Sequence, residues 1–284
     1  MRRPPRVIGH RGARGLFPEN TLEGFQRAFA LGVRHFELDA GMTADDVVVV
    51  THDLALNPAI TRDASGRWLD PPARLIRDLS YDALRAFDVG RIRPASRYRL
   101  MHRHQQAIEG ARIPRLTDVL RAIPAAHVII ELKTDPRYPD RTVRPEVMAD
   151  AVLAIVDAHH AATRVTIESF DWRGPIHIAR TRPEITLAWL TSAETTRDAA
   201  LWWAMPNADA TKIPEAVSSM GGPIWAPAWT QLSRPDLERA HALGLEVIPW
   251  TVNHRAAMRR LRRWGVDGLI TDRPDIALSE FQSA

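Results

Sequence analysis

The sequence predicts an α/β protein, a single distorted (β/α)8 barrel of the TIM type with residues 1–284 forming one domain. Three observations predict it. Short apolar runs alternate with segments of helical periodicity, the pattern of strand–helix–strand units in a parallel sheet. Eight such runs are present, which favours a closed barrel over an open doubly wound sheet. Residues able to do chemistry gather where several runs end, and the C-terminal strand ends of such barrels form the working rim.

Taken in order, the first run, Val7–Gly9, leads into His10-Arg11. Leu22, Phe25, Phe29 and Leu31 then recur at helical spacing and stop at Gly32, and Asn20 with Glu23 three residues on fits a helix N-cap with its box. The second strand, His35–Asp39, continues through Ala40 to Thr43, turns at Asp45-Asp46 and returns through Val47 to Val50 and His52. This reads as an antiparallel hairpin. With the turn centred on Asp45 and Asp46, paired positions sum to 91, which sets Asp39 opposite His52.

Residues 53–112, rich in Arg, Pro and Asp, interrupt the alternation, with a short helix expected at Tyr81–Phe87. The stretch reads as an insertion over the C-terminal rim, too thin in apolar residues for a core of its own. Beyond it come Val128–Lys133, Val165–Ser169, Thr186–Leu190, Ile224–Ala228, Glu246–Val252 and Gly268–Thr271. Among the helices between them, one opens at Ser233 with Asp236 three residues on, runs through Leu237, Ala240 and Leu243, and stops at Gly244.

Composition narrows the chemistry. The net charge of +4 comes from 38 basic and 34 acidic residues that are interspersed along the chain. No basic stripe marks a nucleic-acid partner. Cysteine is absent, which removes disulfides, thiolate nucleophiles and Cys-based zinc sites together. Residues Met1 to Pro5 run into the first strand without a signal-peptide core, and no apolar stretch approaches a membrane span of about 20 residues. A cytoplasmic protein without stable membrane insertion is the expectation.

Glu37 and Asp39 are two apart on one strand and so share a face, and Glu131 and Lys133 repeat that spacing on the next barrel strand. Three inward carboxylates repel one another unless a cation neutralises them. An all-oxygen site of this kind suits Mg²⁺ or Ca²⁺. A set of buried ion pairs with Arg11, Arg34 or Lys133 is the alternative. His10 and His52 would flank such a metal as general acid and base, since imidazole titrates near neutral pH. Arg11 and Lys133 are natural phosphate partners as well as charge balance for the carboxylates.

The runs His10-Arg11-Gly12, Pro18-Glu19-Asn20-Thr21, Glu37-Leu38-Asp39 and His52-Asp53 resemble, in order and spacing, those of the glycerophosphodiester phosphodiesterase family. Ile113-Pro114-Arg115-Leu116, Glu131-Leu132-Lys133, Ser169-Phe170-Asp171, Trp250-Thr251-Val252-Asn253 and Gly265 through Asp272 extend the resemblance over almost the whole chain. It implies a distorted β/α barrel that hydrolyses small-molecule glycerophosphodiesters to glycerol 3-phosphate and an alcohol. By position it makes His10 and His52 the acid and base, Glu37, Asp39 and Glu131 the ligands of a divalent cation, and Arg11 and Lys133 the phosphate contacts. Glu19 and Asn20 fall in a motif that would support these residues. Trp250 looks like the aromatic wall beside the glycerol moiety, although a Trp on a barrel strand also fits interior packing. Ser169 and Asn253 are further hydrogen-bonding candidates near the site.

Two departures stand out. Ala44-Asp45-Asp46 occupies the turn where the family usually has Lys-Asp-Gly, and Tyr98 to Gly110, with Met101-His102-Arg103-His104, matches no family segment. Two rival readings remain. One is a phospholipase D of the sphingomyelinase D kind, for which the insertion offers only Trp68, Leu69, Leu75 and Ile76 as lipid-facing residues. The other is a catalytically silent phosphodiester-binding protein, against which both histidines and all three carboxylates argue.

Overall fold

The computed structural model describes residues 4–207 and 209–282. All eight expected strands are present, and they form a nearly closed parallel barrel. These are β1 (Arg6–His10), β2 (His35–Met42), β4 (His127–Leu132), β5 (Val165–Ser169), β6 (Thr186–Thr191), β7 (Ile224–Pro227), β8 (Glu246–Val247) and β9 (Gly268–Thr271), while β3 (Val48–Val50) pairs antiparallel with β2. The order around the barrel is β8-β7-β6-β5-β4-β2-β1-β9. Between β8 and β9 the ring is drawn together by Asp267 N–H on Val247 O at 3.0 Å and Val252 N–H on Ile270 O at 2.9 Å. The strand expected over Glu246–Val252 is regular for two residues only. Pro249 carries no N–H to continue the ladder, yet Trp250 still bridges to Ala228 in parallel fashion.

The barrel's interior is divided by level. Ile8, Ile129, Ala188, Ile224, Ile248 and Ile270 fill it with an apolar floor, against which Trp250 packs. Side chains two residues apart on a strand share a face, so His10 stands above Ile8, Glu131 above Ile129 and Asp272 above Ile270. The rim is thus charged because the layer beneath it is sealed. A larger cluster, with Phe25, Phe36, Trp172, Trp189 and Trp203 among its members, packs the outer face of the barrel against the surrounding helices.

The hairpin departs from its expected register by one residue. Ala40 pairs with Val50 and Gly41 with Val49, so paired positions sum to 90 rather than 91, and Asp39 faces Thr51. The connection is a three-residue loop: Asp46 N–H bonds Thr43 O at 3.2 Å, and Asp46 takes φ +58°. That left-handed position usually favours glycine. His52 escapes the parity reversal because β3 has ended at Val50, so it still comes within electrostatic reach of Asp39.

Three further expectations change. Helix α1 (Leu22–Ala30) is capped by Thr21, whose hydroxyl accepts from Gly24 N–H, and not by Asn20. Within the insertion the expected helix over Tyr81–Phe87 is the shorter α2 (Tyr81–Leu84). The insertion also gathers an apolar cluster, Leu56, Ile76, Leu79, Leu84 and Val89, closed by Val49 and Ile113 from the flanking chain. A short helix, α3 (Arg97–Met101), follows and leaves Leu100 and Met101 exposed. Of the lipid-facing candidates, Ile76 and Leu69 join the insertion's cluster and Trp68 lies beneath the Arg62 guanidinium. Among the described residues no helix is long and apolar enough to cross a membrane.

Candidate active site

The loop leaving β1 sets one wall of the site. Arg11 takes φ +50° and Gly12 φ +90°, and a Cβ on Gly9 would stand 2.0 Å from Gly12 O, so the turn requires the small residue. Bent this way, the chain points Arg11 N–H at Glu37 Oε2, 3.0 Å away. The Arg11 guanidinium bonds Glu19 Oε1 at 2.9 Å and lies 3.2 Å from Asp39 Oδ2. Asn20, at φ +54°, donates to Asp39 Oδ2 at 2.8 Å. Its left-handed backbone turns the amide inward, which is why the capping role passes to Thr21.

Glu37, Asp39 and Glu131 are buried, and each offers a carboxylate oxygen within 4.8 Å of the others. Lys133, just past the end of β4, lies 2.8 Å from Glu131 and 3.5 Å from Asp39. Arg34, an alternative partner for these acids, instead bonds the Phe29 and Val33 carbonyls. Burial and the Asp39 charge push Glu37 well above the usual carboxylate range. Glu131 rises to about 7 for the same first reason, with Lys133 pulling against it. Burial acts upward on Asp39 too, but Arg11, His52, Lys133 and the Asn20 amide outweigh it and hold this acid low. Asp39 Oδ1 is buried without a hydrogen-bond partner. Three close carboxylates, one with a buried oxygen that only the Lys133 ammonium approaches, at 3.5 Å, fit a divalent cation with hard oxygen ligands.

Two histidines flank this trio in matching arrangements. His10 Nδ1 lies 2.6 Å from Asp272 Oδ1, and its Nε2 lies 3.7 Å from Glu37. His52 Nδ1 lies 2.8 Å from Asp53 Oδ1. An ionised carboxylate only accepts, so each pair places the proton on Nδ1 and leaves Nε2 free. Burial, with Arg14 beside it, brings His10 down to about 3. Burial also lowers His52, helped by Arg11 and Lys133. Asp272 is held far below its ordinary value, since Arg14 and His10 together outweigh its burial. Asn253 donates to Asp272 Oδ2 at 2.7 Å and accepts from the Asp272 N–H, and so fixes the acid that fixes His10. Ser169 bonds Leu132 O and receives Asp171 N–H, a local structural role.

A cleft of about 500 Å³ opens beside His52, Glu131 and Lys133, with Phe170, Trp202 and Trp250 among its walls. Trp250 sits between the barrel interior and the cleft. It packs on the apolar floor, held by its indole N–H on Ala226 O at 2.9 Å, and it meets Phe170 edge-on at 5.3 Å in the cleft. Non-prolyl Trp250–Thr251 is a cis peptide.

The model of the Glycerophosphoryl diester phosphodiesterase family matches residues 10–276. The chain belongs to this family. As a family member it is an enzyme of the phosphoric diester hydrolase class. YqiK of Bacillus subtilis strain 168, an uncharacterized protein, is 30% identical over 274 residues, covering 96% of each chain. The probable glycerophosphodiester phosphodiesterase 2 of Mycobacterium tuberculosis is 30% identical over 281 residues, covering 95% of this chain and 88% of its own. A crystal structure of a putative glycerophosphoryl diester phosphodiesterase from Silicibacter pomeroyi DSS-3 superposes with a TM-score of 0.90 at 36% identity, over 99% of this chain and 94% of that one. An Oleispira antarctica phosphodiesterase, solved with the product sn-glycerol-3-phosphate, shares the fold with a TM-score of 0.75 at 20% identity, over 98% and 97% of the two chains.

The same rim includes residues to which the sequence reasoning gave no role. Asp272, Arg14 and Asp53 orient or surround the histidines, and Glu168 adds a fourth buried carboxylate. Tyr98, from the segment that matched no family pattern, donates from its hydroxyl to Glu19 Oε2. For Asp272 and Glu168 a signal existed: each is an inward-parity acid at the end of an expected strand. Tyr98 had none, because 79 residues separate it from Glu19.

Proposed function

We propose that this family member hydrolyses glycerophosphodiesters to glycerol 3-phosphate and an alcohol, with Glu37, Asp39 and Glu131 holding a divalent cation and His10 and His52 moving the protons. The observation that supports it most is the pair of Asp–His units, each with Nδ1 tied down, on either side of a three-carboxylate cluster at one rim. The product found in the Oleispira enzyme of the same fold is consistent with that substrate class.

When bound, the cation supplies a fixed positive centre that draws charge from the phosphoryl group in the transition state. Lys133 adds a second positive charge at the mouth of the cleft. Arg11, already shared between Glu19 and Asp39, contributes its field and its remaining N–H groups, and holds the carboxylates in place. One imidazole takes a proton at Nε2 from the nucleophile: from water, which gives glycerol 3-phosphate directly, or from the neighbouring glycerol hydroxyl, which gives a cyclic phosphate that water opens to glycerol 3-phosphate in a second step. The other, carrying a second proton on Nε2 as the imidazolium, gives that proton to the departing alcohol. Asp272 and Asp53 keep each ring in the tautomer the step needs and stabilise its charged form. Trp250 and Phe170 offer an apolar wall for the carbon skeleton of the substrate.

The test is direct. The protein is incubated with a panel of glycerophosphodiesters, and glycerol 3-phosphate release is measured before and after exhaustive chelation and after Mg²⁺ or Ca²⁺ is returned. Release that disappears with chelation and returns with the ion is expected. Full turnover after chelation would sink the cation assignment, and no release from any diester would sink the substrate assignment.

A further inference from the structure

Glu168 is the buried acid of this site that nothing yet accounts for. Backbone register pairs Asp39 with Glu131 and Glu131 with Glu168, so three carboxylates run in one row across β2, β4 and β5, all facing the barrel interior. Glu168 is 2% exposed, and its Oε2 has no hydrogen-bond partner among the described residues. The neighbouring cations are occupied. Lys133 is held by Glu131 and Asp39, and Arg11 by Glu19 and Asp39. A buried carboxylate left in this condition is strongly disfavoured against an apolar residue of similar volume. Ala188, the register partner of Glu168 on β6, belongs to the apolar floor, which shows that apolar residues fit this interior well.

We propose that Glu168 is the fourth carboxylate of the cation site. It stands outside the group whose oxygens lie within 4.8 Å of one another, next to Glu131. It therefore supports the ion from a second layer, through its charge and through a water held on the ion, and that water would satisfy its orphaned oxygen. This rests on the reading of Glu37, Asp39 and Glu131 as cation ligands. Supporting groups of this kind typically contribute about 10- to 100-fold in metal affinity.

The experiment titrates Ca²⁺ and Mg²⁺, each alone, into the chelator-treated full chain by calorimetry, with the ion-induced shift in Tm as a second readout. Wild type is compared with Glu168→Gln, Glu168→Leu and, as a control, Glu37→Gln. Both Glu168 variants should fold with an ion-free Tm no lower than wild type, since each removes an unpartnered buried acid. Each should bind the ion about 10- to 100-fold more weakly, with a correspondingly smaller Tm shift. If either folded Glu168 variant binds within twofold of wild type while Glu37→Gln has lost the ion, the proposal is overturned and the trio stands. If wild type itself binds neither ion, both fall together. A drop in ion-free Tm for both variants with unchanged affinity would make Glu168 a packing residue and overturn the proposal as well.

Discussion

Asp53→Asn tests the proton-transfer reading through a conflict built into the hydrogen bonds. Asp53 accepts on both oxygens, from His52 Nδ1 at 2.8 Å and from Asn57 Nδ2 at 2.7 Å. A side-chain amide has only one accepting oxygen. If that oxygen stays on His52, the new NH₂ faces the Asn57 NH₂; if the amide turns, it presents an N–H to His52 Nδ1 and forces the ring proton onto Nε2. Asn57 cannot turn at no cost, because its Oδ1 already accepts from Ala59 N–H at 2.9 Å. The ring therefore spends most of its time in the wrong tautomer, and it loses the carboxylate that stabilises its charged form. Loss of that kind costs about two to four orders of magnitude in kcat, with little change in Tm or cation affinity. A second variant sharpens the case. Adding Asn57→Asp restores an acceptor for the new NH₂ and returns the amide oxygen to His52, so the double variant should regain at least tenfold of the loss. The assay is glycerol 3-phosphate release at saturating cation, with ¹⁵N NMR of the imidazole reporting the tautomer. A folded Asp53→Asn protein with kcat within twofold of wild type would refute the reasoning, as would a double variant no faster than the single one.

His10→Ala and His52→Ala should each lower kcat by about two to four orders of magnitude and should be far from additive. With a nitrophenyl phosphodiester, whose leaving group needs no proton, only the variant lacking the acid should recover, and recovery of neither would argue against paired proton transfer. Cation affinity should rise with pH and level off above about 7. The cause is Glu131, raised to about 7 by burial, whose proton must leave before the oxygen can bind the ion; calorimetry showing the same affinity at pH 5.5 and pH 8 would contradict this. Tyr98→Phe frees Glu19 Oε2 and should lower kcat by about 3- to 10-fold through the Glu19–Arg11 contact, with cation affinity unchanged, whereas an unaltered kcat would leave α3 without a part in positioning Arg11.

What could be read from the residues followed the period of the strand. His10, Glu37, Asp39 and Glu131 lie at strand ends with inward parity, so their convergence was visible before any coordinates. The same reasoning reaches Asp272, two residues after Ile270, and Glu168, two after Thr166, had parity been applied to every strand. Turn geometry was harder to read. A left-handed Asp46 lengthens the loop by one residue and shifts the register, and a sequence with no Gly there does not announce it. At the start of α1 two adjacent residues, Asn20 and Thr21, can both cap, and the choice is made by Asp39, which recruits the Asn20 amide from across the barrel. Contacts such as Tyr98 to Glu19 or Asn253 to Asp272 depend on the closed ring, and no local pattern encodes them.

Division of the barrel interior into an apolar floor and a charged rim also explains why the acids respond so differently to similar burial. Arg11 and Lys133 both approach Asp39, and the Asn20 amide adds a hydrogen bond to it, so of the four clustered acids Glu37, Asp39, Glu131 and Glu168 only Asp39 is pulled toward its ionised form by the protein. Glu37, Glu131 and Glu168 are all pushed upward, first by burial and then by neighbouring negative charge or against a single lysine. Two fixed cations therefore outweigh burial at one of these four acids and not at the other three. A further positive charge placed among Glu37, Asp39 and Glu131 would oppose that upward push and favour the ionised, ligating form of each acid. The apolar floor strengthens that response, because the same lack of solvent that raises the acids also leaves the added charge poorly screened.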